Sequence, residues 1–278
     1  MKISILTASF RQLHWLKRCV RSVADQEGVD VEHIIQDGGT GFDLEHWVRW
    51  ESRAQLIVES DRGMYDALNR AFNRVTGDVF CILNCDEQYL PGTLERVRQE
   101  FEAHPEADMV VGDCLLIDEK SELLAFRRST PLRPSMILTD HLYDYTCAMF
   151  FRSSVLERGI RFDPAYAAAG DADWISRLLR SGIRVRYIRH YMATFTITDT
   201  NLSLKAEPTA ELNRLRAITP LWARCLAPVL RRLRHVEKLM AGGYSSAPIE
   251  YAIYTSSEAL DRTALRCDRP NFRHPWAK

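Results

Sequence analysis

Residues 58–90 read VESDRGMYDALNRAFNRVTGDVFCILNCDEQYL, and this stretch decides the fold. Apolar residues recur every three or four positions in its first half, which is typical of an amphipathic helix, and the TGD turn at 76–78 ends that helix. The continuous apolar run at 79–83 then indicates a buried strand. The stretch therefore predicts a strand, a helix and a second strand whose end presents an exposed acidic pair, Asp86 and Glu87.

Short apolar strands and amphipathic helices alternate through the first 118 residues. Strands are predicted at 3–8, 31–36, 55–59, 79–83 and 108–118, and helices at 12–25, 44–52 and 92–103. Such alternation predicts an α/β protein with a parallel sheet. Ligands of open α/β sheets bind outside the carboxyl ends of the strands, so the acidic strand ends at 37–39, 59–61 and 86–87 are expected to share one crevice.

The sequence of the central stretch resembles that of a known protein family. This chain resembles the sugar-nucleotide-binding half of family 2 glycosyltransferases at three places: ESDRGMYDALN at 59–69, TGD at 76–78 and LNCDE at 83–87. The usual sequences of that family at these places are close to SEPDxGIYDAMNKG, ATGD and LNxDD. The resemblance implies a GT-A fold, with a Rossmann-like, mostly parallel sheet flanked by helices and a helical C-terminal extension. It covers residues 1 to about 100 well, continues more weakly through 169–177 and fades after 205.

The resemblance divides the chain and implies which residues bind a donor. It places a GT-A domain at 1–205, with a nucleotide-sugar half at 1–118 and an acceptor-side half at 119–205, before a mainly helical extension at 206–278. The implied donor-binding residues are Thr7, Ala8, Ser9, Asp37, Gly38, Glu59, Asp61, Gly63, Asp66, Asn69, Asn84, Cys85 and Asp86. Ordinary turn chemistry is the alternative for the first five, and a favourable first-turn acid is the alternative for Asp66.

A divalent metal, Mn²⁺ or Mg²⁺, is the cofactor that this reading implies. Removal of a sugar from a nucleoside diphosphate requires charge neutralisation on the departing diphosphate, which a hard cation held by one or two carboxylates provides. Asp86 is the expected ligand, and Glu87 is expected to assist through water. A solvated turn is the alternative for this pair, and His190 is either a further ligand or polar surface.

The resemblance implies an inverting transfer to an acceptor hydroxyl, which needs a base to take the proton. Within AGDADWISR at 169–177, Asp171 matches the family's catalytic base, while Gly170 replaces the usual glutamate and Asp173 is either part of this motif or a helix cap. The expected donor is a nucleotide sugar, with UDP favoured. The expected acceptor is a glycan or lipid-linked glycan in cell-surface polysaccharide or glycolipid assembly.

Two other functions are weighed against this one. A non-catalytic nucleotide-sugar or glycan-binding module on the same fold is suggested by Asn84, Glu87 and Gly170, which depart from commoner acidic patterns, and donor turnover would discriminate it. A sugar-phosphate nucleotidyltransferase would need a glycine-rich N-terminal phosphate loop, whereas this chain reads Thr-Ala-Ser-Phe at 7–10.

Composition limits the partners and the compartment. The chain has 37 basic and 37 acidic residues among 278, so no global field favours nucleic acid. Its seven cysteines are odd in number and lack CxxC spacing, which suggests a reducing compartment. Because neither a leader nor a run of roughly 18 to 20 apolar residues is present, we predict a cytoplasmic protein.

The segment 219–241 predicts a basic amphipathic helix that begins at Thr219-Pro220. Its apolar stripe and its arginines are Trp222, Leu226, Leu230, Leu233, Val236 and Met240, flanked by Arg224, Arg231, Arg232 and Arg234. Two outcomes stay open for this stripe, since it could make a peripheral contact with the inner face of the plasma membrane or pack on the parent domain. Pro228 is expected to kink the helix.

Overall fold

The computed structural model describes residues 1–198, 208–245 and 247–273. Its strands are β1 Lys2–Ser9, β2 Asp30–Asp37, β3 Gln55–Val58, β4 Val79–Ile82, β5 Glu87–Tyr89, β6 Met109–Asp118, β7 Leu123–Arg127, β8 Met149–Arg152, β9 Val185–Ile197, β10 Ile249–Ile253 and β11 Thr263–Cys267. Its helices are α1 Leu13–Ala24, α2 Phe42–Glu51, α3 Met64–Phe72, α4 Thr93–Ala103, α5 Pro134–Thr139, α6 Gly170–Arg180, α7 Pro208–Ala217, α8 Leu221–Cys225 and α9 Ala227–Met240.

One large sheet organises the chain, with the strand order β3-β2-β1-β4-β8-β6-β9-β5 and with β7 beside β6. The first four strands in this order are parallel, and Ser9 pairs with Asp37 while Asp37 pairs with Val58. The pairs of β8 with β4 and β6 are antiparallel, and β6 and β9 are again parallel. The predicted α/β class and the strands and helices of the first half are thereby confirmed.

Packed aromatic rings join α3 and α6 to the sheet. Phe162 and Trp174 have ring centroids 4.5 Å apart, and Phe72 lies 5.5 Å from Trp174. Phe80 of β4 and Phe151 of β8 stack at 5.1 Å and extend the cluster onto the sheet. These side chains are almost completely buried, so the loop that leads to α6 is fixed by packing.

The C-terminal region is mainly helical, as predicted, but it ends in two strands that the sequence did not indicate. It is helical only to Met240, since β10 and β11 form an antiparallel hairpin. The hairpin forms because Ile249, Tyr251 and Ile253 alternate and bury one face against a core cluster that includes Leu115 and Phe126. The predicted boundary at 205 lies outside the described residues.

Pro228 does not kink a continuous helix. The predicted helix at 219–241 is instead two helices, α8 and α9, separated at Leu226, and Pro228 lies in the first turn of α9. Proline is tolerated there because a first-turn N–H has no partner within the helix. In the part of the chain that the structure describes, none of the helices has the length and apolar character needed to cross a membrane.

The aromatic cluster predicts a large cost for truncation. Trp174→Ala should lower the free energy of unfolding by about 3–5 kcal/mol, because it removes a fully buried indole from a packed core. Trp50→Ala is the matched control, since this indole on α2 is 68% exposed and should change stability little. Urea unfolding followed by circular dichroism measures both, and equal midpoints for the two variants would contradict the prediction.

Candidate active site

The carboxyl ends of the four parallel strands form a single edge of the sheet. The amide of Gly38 donates to the carbonyl of Ser9 at 2.9 Å, and the amide of Glu59 donates to the carbonyl of Asp37 at 2.9 Å. The hydroxyl of Thr7 donates to the carbonyl of Leu83 at 2.7 Å. The segments at 7–9, 37–38, 59–63 and 84–86 are thus neighbours, as the alternation of strands and helices predicts.

Three buried polar atoms near this edge lack a protein partner among the described residues, and one of them, Gln36 Oε1, lies within β2 one residue before its end. Ser9 Oγ at the end of β1 and Asn84 Oδ1 just beyond β4 have no hydrogen-bond partner among the described residues. Thr7 differs, because its buried hydroxyl lies within 2.8 Å of His33 Nε2 and is used inside the fold. Since buried polar atoms are normally paired, Ser9 and Asn84 are the atoms in this edge that a polar ligand would satisfy.

Asp37 is buried and organises its own turn. Its Oδ2 accepts from the amides of Gly39 and Thr40 at 2.9 and 2.6 Å, and its Oδ1 accepts from the Thr40 hydroxyl at 2.6 Å. The turn chemistry expected as the alternative is therefore present. Donor binding by Asp37 stays a prediction.

Gly38 permits a close approach of Asp61. A Cβ on Gly38 would lie 2.8 Å from Asp61 Oδ2 and 3.2 Å from the exposed ring of Phe10, so a side chain there would displace both. Asp61 Oδ1 accepts from the amide of Gly63 at 2.8 Å, and Gly63 has a φ of +118°, which favours glycine. The turn between β3 and α3 is thereby held against the end of β2.

Two other predicted donor-binding residues make hydrogen bonds within the protein. Glu59 accepts from Arg74 at 2.8 Å and from Gln36 at 3.2 Å. Asp66, in the first turn of α3, accepts from the amide of Arg62 and from Arg70, both at 3.1 Å, as its structural alternative predicts.

Asn69 links α3 to the segment that precedes α6. Its amide group donates to the carbonyl of Phe162 and accepts from the amide of Phe162, each at 2.9 Å. A direct contact between Asn69 and a donor stays a prediction, since both polar ends of the side chain are engaged in this pair.

Glu87 does not form an exposed pair with Asp86. It starts β5, is 1% exposed, and its Oε2 accepts from the amide of Asn84 at 2.7 Å. Burial, followed by the negative charge of Asp86, raises the pKa of Glu87 to about 8. Glu87 therefore supports the turn that carries Asp86, because a short strand folds it inward directly after the acidic turn.

Asp86 occupies the tip of this turn and is partly exposed. Its backbone carbonyl accepts from the Thr196 hydroxyl of β9, and the thiol of neighbouring Cys85 donates to Gln12 Oε1 at 2.7 Å. Burial raises the pKa of the Asp86 carboxyl to about 6. A cation beside Asp86 would favour its ionised form.

The donor atoms at this turn fit a hard cation that completes its coordination elsewhere. The Asp86 carboxylate and the unpartnered Asn84 Oδ1 are oxygen donors, which Mg²⁺ and Mn²⁺ prefer. Among the described residues, no cluster of three or more His, Cys, Asp or Glu side chains forms a complete protein cage. The arrangement suits a cation shared with phosphate oxygens, which is how Mg²⁺ is commonly held.

Asp171 lies at the start of α6 and is joined to the edge through Tyr65. The amides of Gly170 and Asp171 donate to Tyr65 Oη at 3.1 and 3.3 Å, and Tyr65 follows the 59–63 turn by two residues. Burial raises the pKa of Asp171 to about 6, although the Ala172 amide donates to its Oδ1 at 2.8 Å. Asp171 is therefore held beside the turn that enters α3.

Steric contact explains why a glycine precedes Asp171. A Cβ on Gly170 would lie 2.6 Å from a ring carbon of Tyr65, so the glutamate of the usual motif cannot enter without moving that ring. Asp173 does not cap α6, which begins at Gly170, and it instead pairs with Arg177 at 2.5 Å.

His190 is not part of this edge. It lies within β9, whereas Phe195, five residues further along the strand, pairs with Glu87. Five residues of strand span roughly 16 Å. His190 instead lines a cavity of about 690 Å³ between β9 and the C-terminal hairpin, with Arg128 and Tyr251. Of the two alternatives for His190, this position favours polar surface over a metal ligand.

Sequence reasoning missed two residues that position the candidate base. Tyr65 lies inside the central motif, but its position on the apolar side of a predicted helix does not indicate that its hydroxyl accepts hydrogen bonds. Glu211 of α7 accepts from the amides of Ala167, Ala168 and Ala169 at 2.6 to 3.0 Å and so fixes the loop before Asp171. No sequence signal could have found Glu211, since it lies more than forty positions beyond its partners.

A mostly parallel α/β sheet with acidic strand ends at one edge, and with Asp171 held beside that edge, is the type of fold that binds ligands at the carboxyl ends of its strands. The profile of the family described as Glycosyl transferase family 2 matches residues 4–160. The chain belongs to this family.

Several curated relatives carry glycosyltransferase names. An uncharacterized glycosyltransferase of Nostoc sp. is 25% identical over 177 residues, which cover 59% of this chain and 55% of that protein. A PGL/p-HBAD biosynthesis glycosyltransferase of Mycobacterium bovis is 30% identical over 119 residues, covering 41% of this chain and 46% of that protein. The chain thus spans about half the length of these relatives.

Solved structures share the fold. S. aureus TarS 1–349 in complex with UDP-GlcNAc aligns with a TM-score of 0.60 and 16% identity, over 88% of this chain and 76% of that chain. The mannosyltransferase PcManGT of Pyrobaculum calidifontis, in complex with GDP-Man and Mn²⁺, aligns with a TM-score of 0.53 and 14% identity, over 87% and 79% of the two chains. These likenesses confirm the GT-A type of fold that the central motif implied.

The Tyr65 contact predicts a loss of stability when the hydroxyl is removed. Tyr65→Phe should lower the free energy of unfolding by about 1–3 kcal/mol, because the amides of Gly170 and Asp171 lose a buried acceptor. Tyr244→Phe is the control, since that hydroxyl meets His235 at an exposed position. Urea unfolding measures stability, and amide hydrogen exchange at 170–171 should rise in Tyr65→Phe alone; unchanged exchange would refute the positioning role.

Proposed function

We propose that this chain is an inverting glycosyltransferase that moves a sugar from a nucleoside diphosphate, with UDP favoured, to an acceptor hydroxyl. The observation that carries the proposal is the pair of unpartnered buried oxygens, Ser9 Oγ and Asn84 Oδ1, at the carboxyl edge beside Asp86. Family membership and the nucleotide sugars bound in the structural neighbours support the same reading.

The donor belongs at the edge built by residues 1–118. Ser9, Gly38 and Asn84 line the ends of three adjacent strands, and Phe10 offers an exposed ring beside Gly38. Asp86, with Asn84, would hold the divalent cation, which when bound neutralises charge on the diphosphate leaving group. Glu87 fixes the turn through the Asn84 amide, and we do not assign it direct ligation.

Asp171 is the proposed base on the acceptor side, residues 119–205. Its carboxylate takes the proton of the acceptor hydroxyl as that oxygen forms a bond to the anomeric carbon. The bond from the anomeric carbon to the diphosphate oxygen breaks, and its electron pair leaves with the diphosphate. Attack opposite the leaving group inverts the anomeric centre, and Tyr65 and Glu211 keep Asp171 in position for it.

The acceptor is proposed to be a glycan or lipid-linked glycan in polysaccharide or glycolipid assembly. The relative named for PGL/p-HBAD biosynthesis supports this class. Lipid linkage would bring the acceptor to a membrane surface. All seven cysteines are free, which supports a cytoplasmic location.

Two substitutions separate donor binding from transfer. Asp86→Ala should abolish the manganese-dependent rise in melting temperature that a nucleotide sugar produces, because ligands stabilise only the state that binds them. Asp171→Asn should retain that rise and lose transfer by at least about 100-fold, since general base catalysis contributes this much. Asp43→Ala, an exposed first-turn acid of α2, is the control.

A panel of nucleotide sugars scored by thermal shift and by release of the nucleoside diphosphate measures both quantities. Full transfer by Asp171→Asn would reassign the base, and an unchanged shift in Asp86→Ala would remove the metal assignment. Donor binding by the wild-type chain with no turnover across a panel of glycan acceptors would favour the non-catalytic binding module.

The raised pKa of Asp171 predicts an acid limit to transfer. A base must be ionised, and burial moves this carboxyl from its ordinary pKa of 3.8 to about 6. The rate constant kcat/KM should therefore fall about tenfold per pH unit below pH 6. Donor affinity measured in parallel shows whether Asp86 causes the decline, and a rate that is constant down to pH 4.5 would contradict the assignment.

A further inference from the structure

The outward face of α8 and α9 is apolar. Most of the large apolar side chains that the described residues expose lie in one short segment, and they are Ile218, Leu221, Trp222, Leu226, Val229, Leu233, Val236, Leu239 and Met240. Val229, Leu233, Val236 and Met240 follow each other at spacings of four, three and four residues, so they form a single stripe along α9. This stripe differs from the predicted one, because Val229 is exposed in it while the predicted member Leu230 is half-buried. Contiguous exposed patches of this kind mark interaction surfaces.

The inward face of α9 is charged. Arg234 Nη1 lies 2.8 Å from Asp140 Oδ2, and Glu237 receives Arg133 through two contacts of 2.6 and 2.7 Å. Asp140 and Arg133 flank α5, and the Arg234 guanidinium also lies 5.1 Å above the Tyr143 ring. The helix is therefore attached through ion pairs while its apolar stripe faces solvent, which is the reverse of an ordinary surface helix.

The charge of the segment indicates what kind of partner would bind this face. The segment 219–241 holds five basic residues and one acidic residue, whereas the whole chain is balanced at 37 of each. The acid, Glu237, is turned inward. Arg231 and Arg232 are exposed and make no direct ion pair within the described residues, although Arg231 helps to lower the pKa of Asp140, so a net positive charge accompanies the stripe.

We propose that α8 and α9 form a docking surface for an anionic lipid leaflet. The apolar stripe would enter the boundary between headgroups and acyl chains, with Trp222, 56% exposed, at the depth where indoles concentrate. Arg231 and Arg232 would meet the acidic headgroups. A second copy of this chain fits less well, because two-fold pairing of this face would bring the same exposed arginines together.

The docking surface lies on the acceptor side of the molecule. The hydroxyl of Thr219, just before α8, donates to the carbonyl of Leu138 in α5 at 3.1 Å. In the same core cluster, Ile137 and Leu138 of α5 pack with Trp174 and Ile175 of α6, the helix that starts at Asp171. A leaflet on this face would therefore lie near the half of the protein that we assign to the acceptor.

Flotation of the full chain with lipid vesicles tests this proposal without donor or acceptor. Wild-type protein should float with vesicles of phosphatidylcholine and phosphatidylglycerol and bind pure phosphatidylcholine at least tenfold more weakly. The double variant Leu233→Gln, Met240→Gln should lose about tenfold or more in affinity. Arg231→Gln and Arg232→Gln should each lose about fivefold on anionic vesicles alone.

Leu260→Gln is the matched control, because Leu260 is a leucine that is 82% exposed on the hairpin loop, outside the stripe. A polarity-sensitive dye on the exposed Cys225, in a Cys267→Ser background, should shift to the blue only with anionic vesicles. Failure of the wild-type chain to float, or equal flotation of the stripe variant, would overturn the proposal. A dimer seen by sedimentation velocity that the stripe variant dissolves, with no vesicle binding, would also overturn it and assign the face to a second copy.

Discussion

The parallel register of β3, β2, β1 and β4 is the constraint on which the site depends. Because Ser9 pairs with Asp37 and Asp37 with Val58, four loops leave the sheet at the same level and their first residues must meet. No long-range side-chain contact is needed to gather them. The chemistry of the edge then depends on which carboxylates are hydrogen-bonded within their own turns. The carboxylates of Asp37 and Glu87 accept hydrogen bonds from nearby backbone amides, while Asp86 stays partly exposed although its carboxyl is largely withdrawn from water.

Burial sets the proton affinity on both sides of the site. The pKa of Asp86 and that of Asp171 are both raised to about 6, each mainly because the carboxyl is withdrawn from water. The consequence of the raised pKa differs between the proposed metal ligand and the proposed base. A cation beside Asp86 would favour its ionised form, whereas Asp171, beside a neutral hydroxyl, would keep its raised proton affinity. A base of raised pKa accepts a proton more readily, so burial that costs stability favours the proposed transfer.

The order of elements and the edge that carries the acids could be predicted from the sequence, because hydrophobic period and turn residues act locally. The direction of each side chain could not. Asp66 and Asn69 match the donor-binding motif, yet Asp66 accepts from the Arg62 amide and Asn69 pairs with the backbone of Phe162. The hydrogen bonds from the loop before Asp171 to Glu211 could not be predicted either, because they join segments that are far apart in the chain and no sequence spacing indicates such a contact.

The orientation of α9 is opposite to the one that a comparison of interaction energies in water would favour. Partly exposed ion pairs such as Arg234 with Asp140 contribute about 0–1 kcal/mol each, while complete burial of one leucine or valine side chain contributes about 1.5–3 kcal/mol. In water alone, a helix with the stripe from Val229 to Met240 would gain more by turning that stripe inward. The chain instead directs its ion pairs to α5 and its stripe outward, an arrangement that recovers the burial energy only when an apolar phase covers the stripe. Since the same helix carries exposed arginines, that phase is best matched by a leaflet whose surface is negative.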